Sequence, residues 1–599
     1  MKDSGIKLTL GDIDDCAVKI TSMWNRFNEQ RQTALRIGQE VRQYIFATAI
    51  DSTSSANMEH KNRTHIPKLT ELSDTLQSNY WDSIFGEAKF FVFKGETSED
   101  KEKSDKITAW IRSKLEAKKF RQIEGRKLVA DYVIYGNAFI GVDYIKELDK
   151  YNVETFKGAT MKRISPLDIV FDAQAETFDK SPKIQRLMLH ISTLAELIRK
   201  YPSANFNKGA LDKILKSRQT GVSESWAERL HKENFNMDGF ASWEDYFKQD
   251  YVEILIYRGD IYNNKTGEAQ KRRIIWVADR LFELRNEENP APIGKDGIHH
   301  VAWRIRPDNL WGMSPLDNLL GMQYRINKVE NAKADALDLS VLPITILKGA
   351  DSLDDLTQIM YKPGQVITLG IEEDIQFESP DVAVLQYASS HMAEYFALME
   401  NFAGAPPEER GIRTPGEKTA EEIRMLDTKG SKLFRDKARA FEIALEGALD
   451  EAKELTLLNF DGEDYVQTFD DIEGAEKLKL VSKENFKARG RFSAIGSKHW
   501  DIKNKRKSEL SSLLATVFQD PKYRAHIDGW NVTQQIRDTW DLQDTNMFER
   551  FRGVKEDVEL QAIAQAEMQQ LAQETGQETA VAGEEFAGQG TADDSTIPE

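Results

Sequence analysis

The chain has 599 residues, 40 % hydrophobic and 30 % charged, and a formal net charge of −18 at pH 7. That apolar content supports real cores, the length suggests roughly three to four domains, and the acidic balance excludes a protein held to DNA by a broadly basic surface. One cysteine, Cys16, excludes a disulfide framework and any cysteine-rich metal site and suits a reducing compartment, while no secretion-signal run follows Met1-Lys-Asp-Ser-Gly5 and no stretch approaches the ~18 apolar residues of a membrane span.

Residues 13–48 predict a long amphipathic helix that buries Met23, Trp24, Phe27, Leu35, Val41, Tyr44 and Ile45. A polar loop, 51–62, leads to a second helix over 68–85, and Phe90-Phe-Val-Phe93 is a strand candidate. Residues 98–135 are again helical, stopping at the Gly136-Asn137 turn before a strand over 138–144. Mixed strands follow over 153–171, then short helices and loops over 192–245. Residues 252–258 and 273–277 flank the turn-rich Asn263-Asn-Lys-Thr-Gly267, a hairpin pattern.

A proline-containing link, 289–297, leads to Val301-Ala-Trp-Arg304, and Trp311-Gly-Met-Ser-Pro315 predicts a helix start with Ser314 as cap and Pro315 at N1. Its helix runs through Met322, Ile326, Val329 and Leu337; strands near 342–369, the first of them at Val341–Leu347, and a helix over 387–402 come next. After the next loop and long helix, short strands are expected at 465–469 and 478–481, a Lys/Arg-rich stretch at 483–507, and helices at 505–518, 531–538 and 555–574. The tail from Gln573 is acidic, and no Lys or Arg follows Lys555, a composition expected to be disordered.

The most informative stretch is Gly404–Thr419, a glycine- and proline-punctuated loop that runs into a helical pattern over 420–458. Two helix starts compete: Thr414 with Pro415 and Glu417, and one turn later Thr419 with Glu422. The apolar spacing of Ile423, Leu426, Leu433, Phe434, Phe441, Leu445, Leu449 and Leu455 predicts a rod of roughly 58 Å, with Gly430 as a place to bend. Gly411–Thr419 is one residue away from a Walker A loop. Glu417 separates the second glycine from Lys418, and Pro415 removes a cradle N–H, so a loop ending in a helix cap is the preferred reading.

No zinc, metalloprotease, serine-hydrolase or calcium-loop pattern occurs in the sequence. The pair His299-His300 reads as a turn or strand edge rather than a metal site. Asp354-Asp355, Glu372-Glu373 and Asp470-Asp471 read as solvated loop charges, with no partner histidine for two-metal chemistry. No catalytic residue, metal or cofactor is assigned.

Five segments together resemble the portal, or head-to-tail connector, protein of tailed bacteriophages of the short-tailed type. They are the Trp24–Tyr44 helix, Arg126–Ile140, Ser165-Pro-Leu-Asp-Ile-Val-Phe-Asp172, Gly312–Asn327, and Gly411–Glu422 with the helix behind it. The match covers roughly residues 15–500. It implies an α+β, mainly helical subunit with wing, stem, clip and crown regions and a long kinked helix. Carried over, 1–235 is the first part of the wing, 236–250 stem helix 1, 251–300 the clip and 301–340 stem helix 2. Residues 341–402 are wing strands and a helix, 403–418 the tunnel loop, 419–504 the long helix with further wing strands, 505–575 the crown, and 576–599 a disordered acidic tail.

The resemblance implies a ring of twelve subunits at one capsid vertex of the virion, made in host cytoplasm, through which double-stranded DNA is packaged and ejected. Its implied partners are the packaging terminase, capsid and scaffold proteins and a tail adaptor, with no membrane and no enzymatic activity. An acidic wall suits transport, because a basic one would hold phosphates rather than let them slide. The candidate positioning cations are Arg410, Arg413 and Lys418 in the loop and Arg325, Lys328 and Lys333 on the stem helix. For the stem set the competing reading is pairing with Glu330 and Asp335. Lys271, Arg272 and Arg273 are candidates for a partner interface, against a solvated hairpin face. The alternatives are an ATP-dependent nucleic-acid enzyme using the 411–419 loop, or another head–tail structural protein.

Overall fold

The computed structural model describes residues 15–46, 64–86, 89–148, 151, 154–200, 206–207, 209–210, 212–214, 232, 234–236, 238–239, 251–263, 267–292, 294–341, 344–348, 374–378, 382–403, 420–470 and 475–495. The chain divides into two compact units, one of 1–468 with 478–500 and one of 469–477 with 501–599. Only 469–470 and 475–477 of the second unit are among the described residues. The loops at 51–62 and 404–419, the acidic pairs Asp354-Asp355 and Glu372-Glu373, and everything after 495, including the expected crown and tail, lie outside them.

The first unit is an α+β body. Its five-stranded antiparallel sheet has the order β4-β5-β6-β7-β8, formed by β4 (Ile169–Phe171), β5 (Lys183–His190), β6 (Tyr251–Asn263), β7 (Glu268–Ala278) and β8 (Phe282–Glu288). Strand β6 is buried on both faces, as its near-continuous apolar run requires. Leu255 and Tyr257 pack against Ala17, Ile20, Trp24 and Phe27 of helix α1 (Asp15–Phe46). Val252, Ile254 and Ile256 face Leu194 and Ile198 of a helix over Ile191–Lys200. Glu253 sits fully buried in this run and is held bidentately by Arg280 at 2.8 and 3.0 Å. The hairpin expected from 252–258 and 273–277 is thus present, and residues 251–258 of β6 pair on the other edge with β5.

The main core gathers α2 (Lys68–Phe85), β1 (Phe91–Gly95), α3 (Ser98–Ala117), α4 (Arg126–Ile134), β2 (Asn137–Leu148) and a long helix, Ala420–Asn459. Strand β2 is central to a second sheet, β3-β2-β9, with β3 (Glu154–Ile164) and β9 (Ile298–Ala302). The helix expected over 98–135 is two helices. Lys119 takes a left-handed φ of 52°, and a π turn over Phe120–Gly125 sets the buried Phe120 ring against Phe85 at 6.1 Å. A capping box of Thr97 and Asp100 starts α3. Strand β16 (Gly490–Ala494), not foreseen from the basic stretch, pairs with β1.

The helix start expected at Ser314-Pro315 needs correction. Residues Asn309–Met313 form strand β11, Asp317–Leu319 a 3₁₀ turn, and the α-helix, α6, begins at Leu320 and ends at Val341. Ser314 Oγ accepts from Leu316 N at 2.9 Å and donates to the Val133 carbonyl at 2.6 Å, so it caps a tertiary turn rather than the helix. Helix α7 (Val382–Ala403) contains the expected 387–402 helix and begins five residues before it, while the partner of strand β12 (Ile344–Lys348) is Asp374–Glu378, later than the strands expected near 342–369. The long helix, α8, spans 40 residues and remains helical through Gly430, matching the sequence reading to within one residue at each end.

Candidate nucleic-acid interface

Helix α6 carries three of the candidate cations, and its two faces differ in chemistry. On one face Gln323, Asn327 and Asn331, spaced four apart and so aligned along one side, are all fully buried. Their carbonyl oxygens accept from Leu69 N (3.3 Å), Ile66 N (3.2 Å) and Thr64 N (2.6 Å), and Gln323 Nε2 donates to the Ile66 carbonyl at 2.7 Å. This ladder satisfies the entry into α2, where the N-cap position is Pro67 and no side-chain cap exists.

Away from the ladder, Gly321, Arg325, Lys328 and Ala332 are exposed, at the spacing that makes one helical stripe. Arg325 and Lys328 form no ion pair among the described residues. Lys333 is half-buried and lies 3.5 Å from Glu330, three residues back, the pairing weighed above for the stem set. Two of the three stem cations therefore face solvent from a helix fixed along its other side.

The hairpin trio divides differently. Arg272, at φ 50°, gives its backbone N–H to Asp260 at 2.8 Å and its guanidinium to the carbonyls of Ala291 and Pro292. Arg273 donates to Asn286 Oδ1 from Nε at 2.9 Å and Nη2 at 2.6 Å. Both serve the local fold, tying the hairpin to the proline link and to β8. Lys271 is exposed. Arg410, Arg413 and Lys418 lie outside the described residues.

The histidine pair lies on β9. His299 Nε2 is 2.7 Å from the fully buried Glu451 of α8, and His300 Nε2 is 3.0 Å from Asn137 Oδ1 with its ring stacked on Phe139. Burial, aided by the Lys183 ammonium, drives the His300 pKa down to about 3, so the ring is neutral. No cluster able to hold a metal occurs among the described residues.

The four segments of the resemblance that fall among the described residues, and the long helix behind the fifth, are wired to one another. Arg31 of α1, 1 % exposed, donates to the carbonyls of Pro166 (2.6 Å), Leu167 (2.8 Å) and Ile169 (2.6 Å). Its guanidinium also lies 5.6 Å from the Trp24 ring and 5.9 Å from the Trp311 ring. Asn137 accepts from Gly312 N at 2.8 Å. Gly136 has φ 65°, and a Cβ there would lie 2.3 Å from the Met313 carbonyl carbon, which explains the glycine.

Tyr132 donates to the Lys437 carbonyl on α8 at 2.9 Å. Asp131, buried beside the bidentate Arg163 (2.5 and 2.8 Å), has its pKa pushed up to about 6 by burial, against the pull of that guanidinium. Sequence reasoning missed Arg31, Asn137 and Asp131 as nodes; the Gly136-Asn137 turn was the only local signal for any of them. Compared with known proteins, the chain matches no family model and no curated protein.

Proposed function

We propose that the chain is the subunit of a portal ring, the channel for genome packaging and ejection at a unique capsid vertex and the attachment point for packaging motor and tail. The observation that carries this reading is the convergence of the resembling segments on one network of buried contacts: Arg31 with 166–169, Asn137 with Gly312, Ser314 with Val133, and Tyr132 with α8. Motifs that each hold a fold node form a fold signature, which is what a family resemblance of this spacing needs. Two features support the channel role: outward cations Arg325 and Lys328 on a pinned helix, and a 40-residue rod behind the Gly/Pro loop.

A few cations on an otherwise acidic wall position phosphates without trapping them, and a head-to-tail contact whose rotation closes makes the ring. In this reading the subunit has no catalytic activity, and the motor is a separate protein. Negative-stain electron microscopy of the purified full chain, with added scaffold protein in a second arm, tests it. Rings with a central hole are expected. Particles that stay ringless in both arms, together with ATP turnover abolished by Lys418→Ala, would overturn it.

A further inference from the structure

The basic stretch at 483–507 is where this acidic chain concentrates positive charge, with nine Lys or Arg against Glu484 and Asp501. Its described part, 483–495, contains β16, which pairs with β1 as a two-stranded ribbon. One face of the ribbon is core. Phe91 and Phe93 meet the Phe492 ring at 5.6 and 5.1 Å, and all three are buried with Ala494. The edge of β16 away from β1 is fixed as well, because Glu446 and Asp450 of α8 accept from Ala494 N at 2.9 Å and Phe492 N at 3.0 Å. Gly490 locks the register: at φ 154° it passes so close to β1 that a Cβ would lie 2.2 Å from the Lys94 carbonyl oxygen.

That fixed register forces a repulsion. On the other face Lys94 stands directly opposite Arg491, and Val92 opposite Ser493. Directly opposed residues bring their Cβ atoms to about 5 Å, where like charges are destabilising. Both side chains are exposed, and neither forms an ion pair among the described residues; Lys94 donates to the Ser493 hydroxyl at 3.2 Å. Arg489, exposed and likewise without an ion pair among the described residues, lies two residues on, roughly 7 Å at the strand rise. Lys483, on the single helical turn Lys483–Phe486, is a fourth exposed cation, while Lys487 is taken by Glu484. Against these four stand two carboxylates, the exposed Glu96 and Asp100, which caps α3, so the surface keeps two positive charges in excess on a chain of net −18.

A phosphate between Lys94 and Arg491 accepts from both and replaces the repulsion with charge-assisted hydrogen bonds, one set from a guanidinium fork. The cations run along an open ribbon, which suits a polymer of phosphates rather than a single ion. The surface also lacks what a protein partner uses. No large apolar side chain is exposed within 89–95 or 481–495, whereas protein interfaces take their energy from buried aromatic and apolar anchors. Contacts to a nucleic-acid backbone need only cations and polar groups.

We propose that the solvent face of the β1–β16 ribbon binds the phosphate backbone of nucleic acid through Lys94, Arg489 and Arg491. The inference does not rest on the portal reading and uses none of the α6 cations. The test is fluorescence anisotropy of the full chain with a labelled DNA duplex across a salt series, beside labelled poly-glutamate. Lys94→Gln with Arg491→Gln is expected to weaken duplex binding about tenfold at low salt and to lower the log–log salt slope by ~2, each phosphate contact contributing about 0.9.

Arg491→Glu separates binding from folding. It places an opposite charge across from Lys94, so amide protection of β1 and β16 is expected to hold or rise while duplex binding falls by about tenfold or more. The proposal is overturned if the double variant binds the duplex like the parent chain, if poly-glutamate binds as tightly as the duplex, or if Arg491→Glu strips the protection of β1 and β16. Loss of duplex binding in Arg325→Ala with Lys328→Ala alone would also overturn it and would leave the channel reading standing.

Discussion

Replacing Arg31 by Met tests how the first helix is fastened to the 165–172 segment. The guanidinium is 1 % exposed and gives three hydrogen bonds of 2.6–2.8 Å to the carbonyls of Pro166, Leu167 and Ile169. Hydrogen bonds to a charged group contribute roughly 1.5–3 kcal/mol each, but burying the cation costs several. Removing it strands three buried carbonyls, so the expected loss is about 3–5 kcal/mol, softened because Met still packs between Trp24 and Trp311. In a cooperative unit of several hundred residues, at about 2.1 cal/mol/K per residue, that is a shift of only about 1 °C per kcal/mol. Thermal melting is therefore a poor readout. Amide exchange reads the local opening instead: Ile169, Val170 and Phe171 pair with Gln185, Ile184 and Lys183, and their protection is expected to fall about 10²–10³-fold. Arg31→Lys is expected to fall between, because one ammonium lacks the planar fork that reaches three acceptors. Protection unchanged within threefold in the Met variant would mean that the guanidinium does not hold this segment in place.

On α6, Arg325→Ala with Lys328→Ala is expected to leave stability within about 0.5 kcal/mol, since both side chains are exposed and unpaired among the described residues, while lowering the log–log salt slope of non-specific DNA binding by up to ~2 per engaged subunit; an unchanged slope measured by fluorescence anisotropy would remove these residues from the interface. His300 sets a pH dependence. Its folded pKa of about 3 lies below the ordinary histidine value of 6.5, so the unfolded chain binds the extra proton between those values and stability falls as pH drops through that window. From pH 7 to pH 5 the loss from this residue is about 2 kcal/mol. His300→Phe, which keeps the stack on Phe139, is expected to flatten the profile by that amount in urea titrations at the two pH values; parallel profiles would contradict a buried neutral imidazole.

Local pattern carried most of the elements. The α1 stripe, α2, the β6–β7 hairpin and the 40-residue α8 follow from apolar period and from loop signals at their ends. Where the reading slipped, a tertiary contact had overridden a local signal. Ser314-Pro315 has the form of a helix start, yet the Ser314 hydroxyl is taken by Val133 and Leu316, so the helix waits until Leu320. Residues 483–507 read as a basic stretch, but Phe492 and Ala494 are buried as β16 pairs with β1 some four hundred positions away.

The candidate cations divide on the same line. From local pattern alone follow most of the helices and the β6–β7 hairpin, the acidity of the chain, and which cations stand on a helix face or hairpin, because those depend on neighbours three or four residues away. Which of those cations are committed depends on contacts between distant segments. Arg272 and Arg273 are spent on Ala291, Pro292 and Asn286, and Lys333 on Glu330, while Arg325 and Lys328 face outward because the Gln323–Asn327–Asn331 ladder claims the other side of α6. The ladder's acceptors meet the entry of α2, more than 250 residues earlier in the chain, and no periodicity encodes a partner at that separation.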